Sequence, residues 1–160
     1  MTKNWIEERD SLCLKVQNKF DIAPFSNKDL PIIALTSNDR IAKDEKFKNM
    51  KIDGQKDLAT IGDKVIDYII FEHFSQLGKT AKELNNYREK YGNNWILHDL
   101  SKIPEIDLKD DIFWSGNDKC SKTGKKCLAV YFEAFIGAIF IDKGIEEVKK
   151  FFDTLHFLRM

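Results

Sequence analysis

The chain has 160 residues, 42% of them hydrophobic and 12% aromatic, which is enough for one domain with a real core and argues against disorder. Lys and Arg together number 26 and so do Asp and Glu, so bulk charge gives no case for nucleic acid and any such site would be a local patch. The opening "MTKNWIEERD" is too charged for a signal peptide, and the longest apolar run, 127–141, is too short to span a bilayer and carries Glu133 inside it.

Helical spacing dominates the pattern. Residues 4–20 place Trp5, Leu12, Val16 and Phe20 on the core side of a first helix. In "APFSNKDL", Ser26 or Asn27 is positioned to cap a second helix with Leu30, Ile33 and Ala34 on its apolar face. Residues 36–57 are polar and read as a connector. The next helix covers 57–76, with Leu58, Ile61, Val65, Tyr68, Ile69 and Phe74 on its buried side. Residues 78–103 suggest one or two helices, opened by a capping box of Thr80 and Glu83. A long polar loop fills 104–127, interrupted by Ile112, Phe113 and Trp114. Residues 126–141 form a helix that is apolar nearly all round and therefore central. An amphipathic helix bearing Ile145, Val148, Phe151, Phe152 and Leu155 closes the chain. No strand pattern of convincing length appears, so the expectation is an all-α fold in a single domain over 1–160.

The three cysteines, Cys13, Cys120 and Cys127, are odd in number and lack CxxC spacing. They read as reduced thiols of a cytoplasmic protein, rather than as a zinc knuckle with His98.

Chemistry concentrates in the two central helices. Asp63 follows Gly62 in "LATIGDKVIDYII" (58–70), and Glu133 stands alone in "FEAFIGAIFID" (132–142). The neighbours Phe132, Phe135 and Ile136 imply burial for Glu133, and a buried carboxylate without a partner is costly. Two acids at i,i+4 on one helix and two at i,i+3 on another would face a common point and require a hard cation. Here the second member of each pair is absent, because Ala59 and Val130 occupy those places.

These two stretches resemble the signatures of the ribonuclease III catalytic domain, "LEFLGDSVLDLVI" and "FEALIGAIYLD". "ELNNYREKYGNNWIL" (83–97) is similar to the family segment "ELSRLRAALVSNETL", with Arg88 and Asn94 on matching residues. "NKFDIAPFSNKDLPIIALTSND" (18–39) resembles "LGYTFKDPELLEEALTHRSY". The matches run in order over roughly 8–155 and imply the all-α ribonuclease III endonuclease fold. They also imply a four-acid Mg²⁺ or Mn²⁺ site that cuts double-stranded RNA. Asp63 and Glu133 fall on two of those acids, as catalytic and metal-binding remnants, while Ala59 and Val130 fall on the other two. Lys56 replaces a further acid of the family's "NER" run, read here as "QKD". The resemblance therefore implies a degenerate active site, with weak metal binding or none.

By the same resemblance the domain pairs about a two-fold axis, as a homodimer or with a related domain, and Thr60 replaces a bulky residue of that interface. The bacterial accessory RNA-binding domain would not fit within 160 residues. The loop "SGNDKCSKTGKK" (115–126) corresponds to one near the RNA, and Lys119, Lys122, Lys125 and Lys126 suit phosphate contacts. The expected function is RNA binding or partner binding by a catalytically impaired member. The alternatives are an active duplex-RNA endonuclease with a non-standard metal shell, retaining Asp63 and Glu133, and a structural subunit of a ribonucleoprotein.

Overall fold

The computed structural model describes residues 7, 10, 11, 13, 14, 17, 18, 21–36, 45–47, 54–92 and 125–155, with the side chains of Lys46 and of residues 125–128 outside the description. The architecture is all-α, and no β-strand occurs among the described residues. After the helical residues near the N-terminus come α1 (Asp29–Ala34), a 3₁₀ turn (Glu45–Phe47), α2 (Gln55–Gln76), α3 (Ala81–Tyr91), α4 (Lys125–Lys143) and α5 (Ile145–Thr154). Trp5, Leu12, Val16 and Phe20 lie outside the described residues, as do the expected helix beyond 92 and most of the 104–127 loop.

The core is built on α4. Phe132, Phe135, Ile136 and Ile139 are buried on different sides of it, as its unbroken apolar sequence dictates. The most extensive packing is with α2, which contributes Leu58, Ile66, Ile69 and Ile70. Two glycines set the closeness of that crossing. A Cβ on Gly62 would overlap the carbonyl oxygen of Glu133, and one on Gly137 would overlap that of Leu58. Because the two backbones touch here, Asp63, next to Gly62, is brought to Glu133.

On the other side of α4, Phe132 and Phe135 meet α5 and the segment before α1. Ring centroids are 6.3 Å apart for Phe132 with Phe151, 5.9 Å for Phe135 with Phe151 and 6.4 Å for Phe135 with Phe25. Pairs at these separations add about 0.5–1.5 kcal/mol each beyond area burial.

Polar side chains then tie residues 21–28 to the α4–α5 corner. The carboxylate of Asp142 accepts the backbone N–H groups of Ser26 and Asn27, both at 2.8 Å. Glu147 accepts that of Ala23 at 3.1 Å, and Lys143 and Lys150 donate to the carbonyls of Pro24 and Asp21. Burial raises the Asp142 carboxyl, but the two backbone donors and Lys143 outweigh it and hold it below its ordinary range.

Helix α3 is fixed by its start and by one aromatic stack. Thr80 and Glu83 form the expected reciprocal capping box. The Tyr87 ring lies on Phe74 of α2, with centroids 3.8 Å apart and planes 6° from parallel, and Tyr91 is buried beside them.

Two expectations are corrected. The cap position of α1 is Lys28, whose side chain makes no capping bond, although the Asn27 side chain accepts the Asp29 N–H at 3.1 Å. Tyr68 is 52% exposed rather than buried. The close glycine crossing directs Leu58, Ile66 and Ile70 at the core and leaves Tyr68, in line with Thr60 and Lys64, on the open side of α2. Among the described residues no helix is long and apolar enough to cross a membrane.

Candidate active site

The stack of Tyr87 and Tyr91 on α2 fixes the rotation of α3, and Arg88, the residue after Tyr87, reaches across to α2. Its Nε donates to Oδ1 of Asp67 at 2.9 Å. Asp67 lies one helical turn after Asp63 on the same face. Lys64 stands between the two carboxylates, 3.4 Å from Asp63 and 3.8 Å from Asp67. Asp63, Asp67, Arg88, Glu89 and Gly92 line a cleft of about 400 Å³.

Glu133 approaches this cluster from α4. Its carboxyl is pushed up to about 7, first by burial and then by the negative charges of Asp63 and Asp67. Three carboxylates thus interact at the α2–α4 crossing, and burial beside two like charges favours the protonated form of Glu133. The two acids selected from sequence, Asp63 and Glu133, are therefore brought together.

The places one turn from them are apolar. Ala59 is buried in the core, and Val130 is half-buried against it. Neither offers an oxygen to a cation. Asp67 is already engaged by Arg88. Among the described residues no group of three or more His, Cys, Asp or Glu side chains is placed to hold a metal ion. The donor set does not fit a resident Mg²⁺ or Mn²⁺, which needs several hard oxygen ligands in regular geometry.

Lys119 and Lys122 lie outside the described residues. Lys125 and Lys126 open α4, with their side chains outside the description, so the expected RNA-facing loop is not part of the described site.

A second surface feature flanks the first. Thr60, Ile61, Lys64, Val65, Tyr68, Phe140 and Ile145 line an open, mostly apolar groove of about 530 Å³ between α2 and the α4–α5 corner. Tyr68 and Phe140 are the large exposed apolar side chains in it. The pairing of Asp67 with Arg88 and this groove are the features that sequence spacing does not bring out. Both residues were visible within matching segments, but nothing in the spacing joins two helices.

The sequence model of the ribonuclease III domain matches residues 56–144, more than half of the chain. The chain belongs to the ribonuclease III domain family. It is 31% identical over 98 residues to ribonuclease 3 of Chlorobium luteolum, an alignment covering 60% of this chain and 36% of that protein. It is 30% identical over 110 residues to ribonuclease 3 of human and of mouse, covering 67% of this chain and 8% of each of those proteins. The chain thus spans little more than a third, or less, of the length of these curated relatives.

Two solved structures of the ribonuclease III nuclease domain of Campylobacter jejuni share the fold, both at 24% identity. One has a TM-score of 0.71 and covers 91% of this chain and 98% of that one; it is described for flexibility in a region involved in dimer formation. The other has a TM-score of 0.68 and covers 97% and 94%. The ribonuclease III domain runs through both central helices and includes Ala59, Asp63, Asp67, Arg88, Val130 and Glu133.

Proposed function

We propose that this ribonuclease III domain, a single unit over 1–160, binds double-stranded or structured RNA in RNA processing but is impaired in cutting it. The observation that carries this reading is the pair of apolar residues, Ala59 and Val130, packed one turn from Asp63 and Glu133. A metal in such a site would activate water and offset the charge on the phosphate, and removing two carboxylates weakens both roles. The cleavage rate is accordingly expected to sit orders of magnitude below that of a four-acid site.

The competing reading is an active endonuclease with a non-standard metal shell, and the convergence of Asp63, Asp67 and Glu133 favours it. The two are separated by incubating a long duplex RNA with the protein in Mg²⁺ or Mn²⁺ beside a gel-shift measurement. Retardation without cleavage is the expected result. Metal-dependent cutting abolished by Asp63→Asn supports the alternative, and neither cutting nor retardation supports a structural subunit.

We also propose that the groove between α2 and the α4–α5 corner is where the domain pairs, with a second copy or a related domain. Its support is the exposed apolar surface of Tyr68 and Phe140.

For the RNA itself, A-form duplexes are recognised mainly through shape, backbone and 2′-hydroxyls, to which lysines supply phosphate contacts. Replacing Lys119, Lys122, Lys125 and Lys126 by Ala is expected to weaken duplex binding and to flatten its salt dependence. The slope should change by at most about one unit per lysine. Binding measured across salt concentrations checks this, and an unchanged slope would move the RNA face elsewhere.

A further inference from the structure

The groove between α2 and the α4–α5 corner has a lopsided charge. Among the described residues that line it, Lys64 carries the one charge, and no acid accompanies it. The Lys64 side chain is 68% exposed. Asp63 and Asp67, its neighbours at 3.4 and 3.8 Å, line the adjoining cleft and not the groove. Glu72 lies one turn beyond Tyr68, and Glu146 follows Ile145, but both are paired with Lys149, at 2.6 and 3.5 Å.

A second copy docking on this groove about a two-fold axis would meet it with the same patch. It would bring a second Lys64 and no acid in the patch to answer either one. Two like charges would then lose water together at an apolar interface, which opposes pairing.

We infer that the groove takes a helix of a different polypeptide, one that sets an acidic side chain against Lys64 among bulky apolar residues, and that Lys64 turns a second copy away. The inference rests on reading the groove as the pairing face. Exposed ion pairs such as those of Lys64 with Asp63 and Asp67 contribute little, so Lys64 can exchange them for an acid across an interface. A charge matched or mismatched beside an apolar seam sets partner choice between helices. Tyr68 of α2 and Phe140 of α4, both exposed, supply the apolar surface that such a helix would bury.

The probe is the chain itself with this charge reversed. Sedimentation velocity in about 50 mM salt compares the unmodified chain, Lys64→Glu and an equimolar mixture of the two. Each alone is expected to stay monomeric up to about 100 µM. The mixture is expected to form a one-to-one dimer at least about tenfold more tightly, and to lose it as salt is added. Dimerisation of the unmodified chain at micromolar concentration would overturn the inference. So would a mixture that stays monomeric.

Should Lys64→Glu, with Asp63 and Asp67 beside it, not fold, Lys64→Met decides. It keeps the length and removes the charge, and it is expected to self-associate where the parent does not. A Lys64→Met chain as monomeric as the parent overturns the inference. Tyr68→Ser makes failure here separable from failure of the pairing reading. It is expected to abolish the mixed dimer, and a dimer of any composition that survives it forms elsewhere and removes both. Self-association of the unmodified chain that Tyr68→Ser abolishes removes only the preference for a different partner.

Discussion

Replacing Gly62 by alanine is expected to cost the protein about 3 kcal/mol, although alanine is the better helix former by about 1 kcal/mol. The added Cβ would overlap the carbonyl oxygen of Glu133, a backbone atom of a central helix that cannot swing aside as a flexible side chain can. Relief requires α2 and α4 to separate, which loosens the packing of Leu58, Ile66 and Ile70 against α4. Gly137→Ala, which meets the carbonyl of Leu58, is expected to cost a similar amount. Thr60→Ala on the exposed side of the same helix should stay within about 0.5 kcal/mol. Denaturant unfolding monitored by circular dichroism makes the comparison, and a Gly62→Ala protein as stable as the parent would mean that the crossing is looser than described.

Stability itself is expected to fall as pH rises through neutrality, with Glu133 as the source. Its native carboxyl is pushed up to about 7 from an ordinary value of 4.5, mainly by burial and then by Asp63 and Asp67. Between those values the native protein holds a proton that the unfolded chain has released, so ΔG of unfolding declines across that window and levels off above it. Allowing for solvent screening of a half-buried group, the loss is about 2 kcal/mol. Glu133→Gln keeps the shape and removes the titration. It should be about 2 kcal/mol more stable than the parent at pH 8 and about equal to it at pH 4. Unfolding curves at the two pH values check this. A Glu133→Gln protein less stable at pH 8 would mean that the ionised carboxylate has a partner that stabilises it.

Much of this arrangement was legible in the residues. The apolar run of 126–141 fixed α4 as the central helix, since a helix without a polar face has to be surrounded. Thr80 and Glu83 announced the start of α3 because a capping box is a local device, complete within four residues. Asp63 and Glu133 stand out for local reasons too: Asp63 follows a glycine within a helical run, and Glu133 is a lone acid among apolar residues.

What the sequence hid depends on relations between helices. Asp67 and Arg88 are 21 residues apart, and only the Phe74–Tyr87 stack decides that they meet. Gly62 and Gly137 mark the crossing only when taken as a pair. A 3.6-residue period assigns Tyr68 to the core because it defines a face but not its width, and in the fold Tyr68 lies beyond the buried edge of that face. The lysines of the 115–126 loop carry the RNA-binding expectation from sequence alone, with Lys119 and Lys122 outside the described residues and only the backbone of Lys125 and Lys126 described.

The central claim is that a ribonuclease III domain with Ala59 and Val130 in its acidic site binds RNA without cutting it efficiently. The most direct measurement is single-turnover cleavage of a long duplex RNA with protein in excess, in Mg²⁺ and separately in Mn²⁺, for the unmodified chain and for Ala59→Glu combined with Val130→Asp. The account predicts no cleavage above background by the unmodified chain while the RNA is bound, and metal-dependent cleavage gained by the doubly substituted one. Cleavage by the unmodified chain in Mg²⁺, lost on Asp63→Asn, would contradict it.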